Sequence, residues 1–116
     1  MTDHRVSRGR ASQEILAARL RALGVTYARS RAASLPGSDV ENWLGVDVEV
    51  KATEACQPGA WLRQSVKRAD GQLSLVVYRP RGYGPASLDE WPVILRWADV
   101  VPLLRAAGYL PEEPTA

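Results

Sequence analysis

The period of apolar and polar positions changes several times along the chain, and each change marks an element. From Arg10 to Leu23 the large apolar residues Leu16, Leu20 and Leu23 recur at helical spacing, and Gly24 supplies a left-handed stop, which predicts a first helix. Val25 to Arg29 is β-branched and aromatic and reads as a strand. A loop through Leu35-Pro36-Gly37-Ser38 leads to a short strand around Asp39-Val40, then to a turn near Glu41-Asn42 that closes at Gly45. Val46 to Ala52 is the clearest period-two segment: Val46, Val48 and Val50 face one way, and Asp47, Glu49 and Lys51 the other. It predicts a half-buried strand with a charged face.

After a break at Gln57-Pro58-Gly59, Trp61 to Ala69 predicts a second helix, stopped by Asp70-Gly71, and Leu73 to Arg79 a buried strand. Pro80 to Ser87 carries two Pro and two Gly and reads as a loop. A strand near Trp91 to Arg96 precedes a last helix, with Asp99 as its N-cap, Pro102 in its first turn and Gly108 at its end. The order α-β-β-β-α-β-β-α gives an α/β fold, a mixed central sheet flanked by helices. At 116 residues there is room for one domain, over residues 1 to 110, with Pro111 to Ala116 as a loose tail rich in Pro and Glu.

Composition narrows the function classes. A chain with 46% apolar and 24% charged residues is of soluble globular type, and its apolar runs, such as Leu73 to Tyr78, fall far short of the ~20 residues of a membrane span. Met1 to Arg10 is polar and basic, without the apolar core of a signal peptide, so the expected location is the cytoplasm. One cysteine, Cys56, and one histidine, His4, exclude an internal disulfide and a structural zinc site. They also leave no Ser/His/Asp or Cys/His triad unless His4 is its base, so metal chemistry must rest on oxygen ligands.

The net charge of +2 hides blocks: residues 1 to 38 carry +5, 39 to 56 carry −4, 57 to 81 carry +4, and 82 to 116 carry −3. An acidic centre between basic flanks suits a polyanion held around carboxylates that need a cation, although a solvated surface also produces charge blocks.

Within the acidic block, period two places Glu49 and Lys51 side by side, and Asp39 stands at the start of the preceding strand. Carboxylates from two adjacent strands can share one Mg²⁺, with the rest of its shell from water and phosphate, and the neighbouring ammonium would stabilise developing charge. A wet strand face produces the same Glu-x-Lys pattern. The larger arrangement is more specific: Arg8-Gly9 opening a helix, then Gly37-Ser38-Asp39, a hairpin, Glu49-Val50-Lys51-Ala52, a helix and a strand. Over about residues 8 to 79 it resembles the PD-(D/E)XK nuclease superfamily and, within it, the archaeal-type and phage Holliday-junction resolvase-like nucleases.

The resemblance implies an αβββαβ restriction-endonuclease-like core and Mg²⁺-dependent hydrolysis of DNA phosphodiesters, with Mn²⁺ as a substitute ion. It implies Asp39, Glu49 and Val50 as metal ligands, Lys51 as the catalytic lysine, and a bacterial or phage-infected cell as the setting. The chain departs from the family at one place: where those resolvases carry a Glu four residues after the helix-opening Gly, this chain has Gln13, with Glu14 next. Helix phase sets Gln13 beside the Leu16 stripe and Glu14 on the side of Arg21, toward water. Gln13 is therefore the residue expected near the site, either orienting water or phosphate or packing its methylenes on the core.

Arg8, Arg10, Arg63, Lys67 and Arg68 flank the acidic centre as candidate phosphate contacts, each also readable as a solvated charge. Gln64 on the second helix has a similar double reading. Trp43, Trp61, Trp91 and Trp97 read as core or interface anchors, and Cys56 as incidental. Alternatives to a junction resolvase are a nuclease of the same fold acting on nicked, flap or linear DNA, and a DNA-binding domain that kept the fold and lost catalysis. Cutting two strands with one cluster per chain requires a homodimer, expected to join through apolar residues between Trp91 and Leu104.

Overall fold

Helix α1 (His4–Ala22) begins earlier than its apolar stripe, so Arg8-Gly9 lies within the helix and does not open it. The computed structural model describes residues 4–32, 35–53 and 55–113, so the expected tail is described only as far as residue 113. Ser12, Leu16, Ala17 and Leu20 form the buried face of α1, and the small residues among them let the helix approach the sheet closely. Leu23, expected on that stripe, is exposed, because the helix closes there: Gly24 adopts φ +106° and the Val25 and Gly24 amides donate to the carbonyls of Leu20 and Arg21. That closure also overrides the strand expected at Val25 to Arg29. Val25 packs back on the core, Ala28 N–H donates to the Val25 carbonyl, and β1 is only Arg29–Ser30.

Strand β1 pairs antiparallel with β2 (Val40–Glu41), and β3 (Val46–Lys51) pairs parallel with β4 (Leu73–Tyr78). Helix α2 (Pro58–Ala69) makes the crossover between β3 and β4, and β5 (Val93–Ile94) adds antiparallel to β4. The result is an α/β layer structure with the expected element order, but the expected central sheet is divided into a three-stranded mixed sheet, β3-β4-β5, and a separate antiparallel pair, β1-β2. Val48, Val50 and Val77 point to the α1 side, where they join Leu16, Ala17, Leu20, Val40, Leu88 and Trp91 in the core. The opposite side, with Asp47, Glu49 and Lys51, is covered by α2 through Trp61, Ser65 and Ala69. Asp47 is therefore 4% exposed, where the alternation alone suggested a wet position.

The C-terminal part departs from the sequence pattern in detail. The end of the expected Pro80 to Ser87 loop opens a 3₁₀ segment (Pro85–Glu90) that runs three residues beyond it. Helix α3 (Trp97–Ala106) starts two residues before Asp99, with Arg96 at its N-cap, so Pro102 lies inside the helix. Asp99 acts from the first turn by accepting bonds from the Arg96 guanidinium at 2.9 and 3.1 Å, a favourable place for a negative charge. Gly108, at φ +87°, ends the helix as expected. Helix α3 buries none of its residues, and Trp97 is 73% exposed, while Trp61 and Trp91 are buried and Trp43 packs against the core. No helix is long and apolar enough to cross a membrane among the described residues.

Candidate active site

The Gly37-Ser38-Asp39 motif joins β2 to β3 through its side chains. Gly37 takes φ +111°, which only glycine adopts cheaply, and this turns the next two side chains onto the edge of β3. Ser38 Oγ accepts the Val48 N–H at 2.9 Å, Asp39 N–H donates to the Val48 carbonyl at 2.8 Å, and Asp39 Oδ2 accepts the Val50 N–H at 2.7 Å. The carboxylate of Asp39 thus replaces a rung of the ladder and is fixed beside Glu49-Val50-Lys51. Strand geometry aims the Val50 carbonyl at this same edge: residues two apart share a hydrogen-bonding direction, the Val48 carbonyl faces Asp39, and the Lys51 carbonyl faces Arg79 on the other side.

Glu49 is held from two sides. Lys51 Nζ lies 3.1 Å from Glu49 Oε1, and Arg68, reaching down from α2, places Nη1 2.7 Å from Glu49 Oε2. The rest of the Arg68 fork belongs to Asp47: Nε donates to both carboxylate oxygens at 3.1 Å, and Nη2 also donates to Oδ1. Lys51 also lies 5.9 Å from the centroid of the Trp61 ring, whose other neighbour is Tyr78. Burial alone would lower the pKa of Arg68, but its bonds to Asp47 and Glu49 reverse that and hold it above the ordinary value.

Asp39 is the perturbed acid of the site. Burial, and after it the negative charge of Glu49, raise its pKa to about 6, against the opposing pull of the Val50 N–H, Arg68 and Lys51. A divalent cation held at Asp39 would relieve the cost of burying its charge and the opposition of Glu49 to it. Among the described residues no three acidic, His or Cys side chains converge on one point, so a cation held by Asp39 and Glu49 would need the Val50 carbonyl and water or phosphate oxygens to complete its shell.

A proton that binds more tightly to the native state stabilises it at low pH, and that contribution is lost as pH rises through the native pKa. Asp39→Asn keeps an acceptor for the Val50 N–H and removes the strained charge. It is expected to raise stability at pH 8 by on the order of 2 kcal/mol, a gain that shrinks as pH falls through 6 toward 4. Urea unfolding at pH 8 and pH 4.5 checks it; an equal or lower stability of the variant at pH 8 would contradict the assigned electrostatics.

The other expected site residues are placed less uniformly. Gln13 is half-buried and lines a cleft of about 430 Å³ with Arg10, Ala11, Glu14, Ser30, Arg31 and Ala32. It makes no hydrogen bond to Asp39, Glu49 or Lys51, and its helix packs on the other side of the sheet from Glu49. The cleft is linked to the motif through Arg31, whose Nε donates to the Ser38 carbonyl at 3.0 Å. Glu14 is exposed, ion-paired with Arg21 at 2.9 Å as its helix phase predicts, and accepts from Ser30.

Arg10, Arg63 and Lys67 are exposed and carry no ion pair among the described residues, whereas Arg68, expected beside them as a phosphate contact, is committed to Asp47 and Glu49. Arg8 is half-buried and donates to the Pro80 carbonyl at 2.8 Å. Gln64 and Cys56 are exposed. The sequence signal for Arg68 is its phase, since it follows Trp61 and Ser65 at helical spacing on the inward side of α2. Comparison of the chain with family models, with curated proteins and with solved structures finds no match.

Proposed function

We propose that this chain is a divalent-metal-dependent endonuclease of PD-(D/E)XK type that hydrolyses DNA phosphodiesters, with Holliday junctions or other branched DNA as substrate. The observation that carries the proposal is the seating of Asp39: its carboxylate is pinned to the edge of β3 by the Val50 N–H at 2.7 Å, on the residue between Glu49 and Lys51. Asp39, Glu49 and the Val50 carbonyl would hold the ion, which when bound polarises a phosphate and activates a water. Lys51, steadied by Glu49 and the face of Trp61, presents its ammonium to the phosphate oxygens that gain charge as water attacks phosphorus. Arg68 orients Glu49 and is a positioning residue. Cutting both strands of a junction needs two such clusters, and the exposed Val93, Trp97 and Leu103 on β5 and α3 offer the apolar surface for a homodimer.

The test is cleavage of four-way, flap and linear DNA with Mg²⁺, with Mn²⁺ and with chelator, alongside sedimentation of the same preparation. Metal-dependent cutting of the four-way substrate by a dimer is the expected result. Cutting of flap or linear DNA by a monomer would move the activity to an end-processing nuclease. Absence of metal-dependent cutting would leave a DNA-binding domain.

The departure at Gln13 yields a second test. Gln13 lines the cleft that Arg31 ties to the Ser38 carbonyl, so Gln13→Ala is expected to slow cleavage more than Glu14→Ala, which removes exposed contacts to Arg21 and Ser30. Gln13→Glu is expected to tighten Mg²⁺ binding only if that side chain reaches the ion. Single-turnover rates across a metal titration decide, and a dead Glu14→Ala with an active Gln13→Ala would reverse the assignment.

A further inference from the structure

At the C-terminal end of β4, two arginines meet without a carboxylate. Arg79, the first residue after the strand, is tied to the end of β3 by its own N–H, which donates to the Lys51 carbonyl at 2.7 Å. Its side chain lies on the α1 side: Nη1 donates to Ser12 Oγ at 3.1 Å, Nε donates to the Tyr83 carbonyl at 2.7 Å, and the guanidinium sits 5.3 Å from the Trp91 ring centroid. Ser12 Oγ in turn donates to the Arg8 carbonyl at 2.7 Å, and Arg8 Nη2 reaches the Pro80 carbonyl. Both side chains are half-buried and held only by neutral acceptors, with no acidic partner among the described residues. Their mutual repulsion is felt: after burial, the charge of Arg8 is what holds the pKa of Arg79 below its ordinary value.

Two cations ordered side by side at a standing electrostatic cost are a preorganised anion site. A guanidinium has five N–H donors, of which Arg79 uses two and Arg8 one in these bonds, so most of the fork remains for a ligand. Position selects the ligand. Arg79 lies at the same end of the parallel strand pair as Lys51 and one strand over, with its side chain on the α1 side of the sheet where that of Lys51 is on the α2 side, so a nucleic-acid chain would meet both only by crossing the C-terminal end of the strands. We propose that Arg8 and Arg79 form a clamp for a backbone phosphate of DNA that crosses the C-terminal end of β3 and β4; this rests on the nuclease assignment for its ligand, but not for its geometry. The loop after β4 is then part of the DNA surface, with Trp91 as the flat support that keeps Arg79 aligned.

The experiment is fluorescence anisotropy with a labelled four-way DNA in chelator, so that no cleavage occurs, at several salt concentrations. Arg8→Gln retains an amide N–H for Pro80 and should fold normally; Arg79→Gln is checked by thermal melting. Each is expected to weaken binding by about 10-fold and to reduce the salt slope by about 1, whereas Arg8→Lys should stay within about 3-fold and Arg105→Gln, on α3, within about 2-fold. Unchanged affinity and slope in Arg8→Gln overturn the clamp, as does an equal loss in Arg105→Gln, which would mean diffuse charge. A saturable rise in melting temperature with inorganic phosphate, together with unaltered DNA binding in the variants, would assign the pair to a free anion instead and likewise overturn it. Weakened binding by the clamp variants in a protein that never cuts DNA with Mg²⁺ would retain the clamp and remove the nuclease; normal cutting with unaffected binding would do the reverse.

Discussion

Glu49→Gln and Lys51→Ala are each expected to lower the rate of metal-dependent DNA cleavage by ~10² to 10³-fold, with affinity for DNA in chelator kept within about 3-fold. The two effects separate because chemistry and affinity draw on different groups. Glu49 and Lys51 are mostly enclosed between β3 and α2, with side chains 19% and 23% exposed, and they touch each other and Arg68 more than solvent. On the proposed function, affinity would rest instead on the exposed Arg10, Arg63 and Lys67 and on the Arg8 and Arg79 pair. Glu49→Gln keeps the volume of the side chain and removes its charge, so the proposed site would lose a metal ligand without losing packing. Lys51→Ala removes the ammonium and its contacts to Glu49 and Trp61, which for a partly exposed pair costs about 1 kcal/mol or less of stability. Quenched-flow cleavage of the four-way substrate, with anisotropy on the same samples, reads both quantities. Wild-type rates in either variant would take the catalytic role from the Asp39, Glu49 and Lys51 cluster.

The elements of that cluster were legible because strand periodicity is a local property. The alternation from Val46 to Lys51 separates the apolar from the charged side, and the structure keeps that separation at Val48 and Val50 against Glu49 and Lys51, while Val46 is only half-buried and Asp47 is buried. What alternation does not encode is the cover on each side. Asp47 reads as solvated until α2 folds over it and Arg68 arrives, a contact between residues 21 apart in the chain. The side-chain bonds that seat the Gly37-Ser38-Asp39 motif join residues 10 and 11 apart in the chain, where the segment before β2 meets the free edge of β3, and no periodicity sets that meeting. Gln13 follows its helical phase to a half-buried position, but phase does not say which side of the sheet a helix covers, and α1 covers the side away from Glu49. The strand expected after Gly24 failed for a reason of the same kind. A helix stop that bonds the Val25 N–H back to Leu20 fixes the next residues, whatever their β-propensity.

Arg68→Ala is expected to be the most destabilising single change on the α2 side of the sheet. Asp47 is 4% exposed, and both its oxygens bond to Arg68. Removing the guanidinium leaves a buried carboxylate unpaired, a loss of roughly 3 to 5 kcal/mol, enough to lower the melting temperature of a domain of this size by roughly 10 °C or more. Glu49 loses one of its two cations in the same step, but keeps Lys51, so the damage centres on Asp47. Attraction alone does not explain the size of the effect, since taking two charges out of water opposes their pairing. The paired double variant Asp47→Val with Arg68→Met is therefore expected to recover most of the lost stability by filling the helix–sheet contact with apolar volume. Chemical denaturation of wild type, Arg68→Ala and the double variant measures this directly. A loss below about 1 kcal/mol in Arg68→Ala would mean that Asp47 reaches water or another partner once the arginine is gone, and that the contact of α2 with β3 does not depend on this bridge.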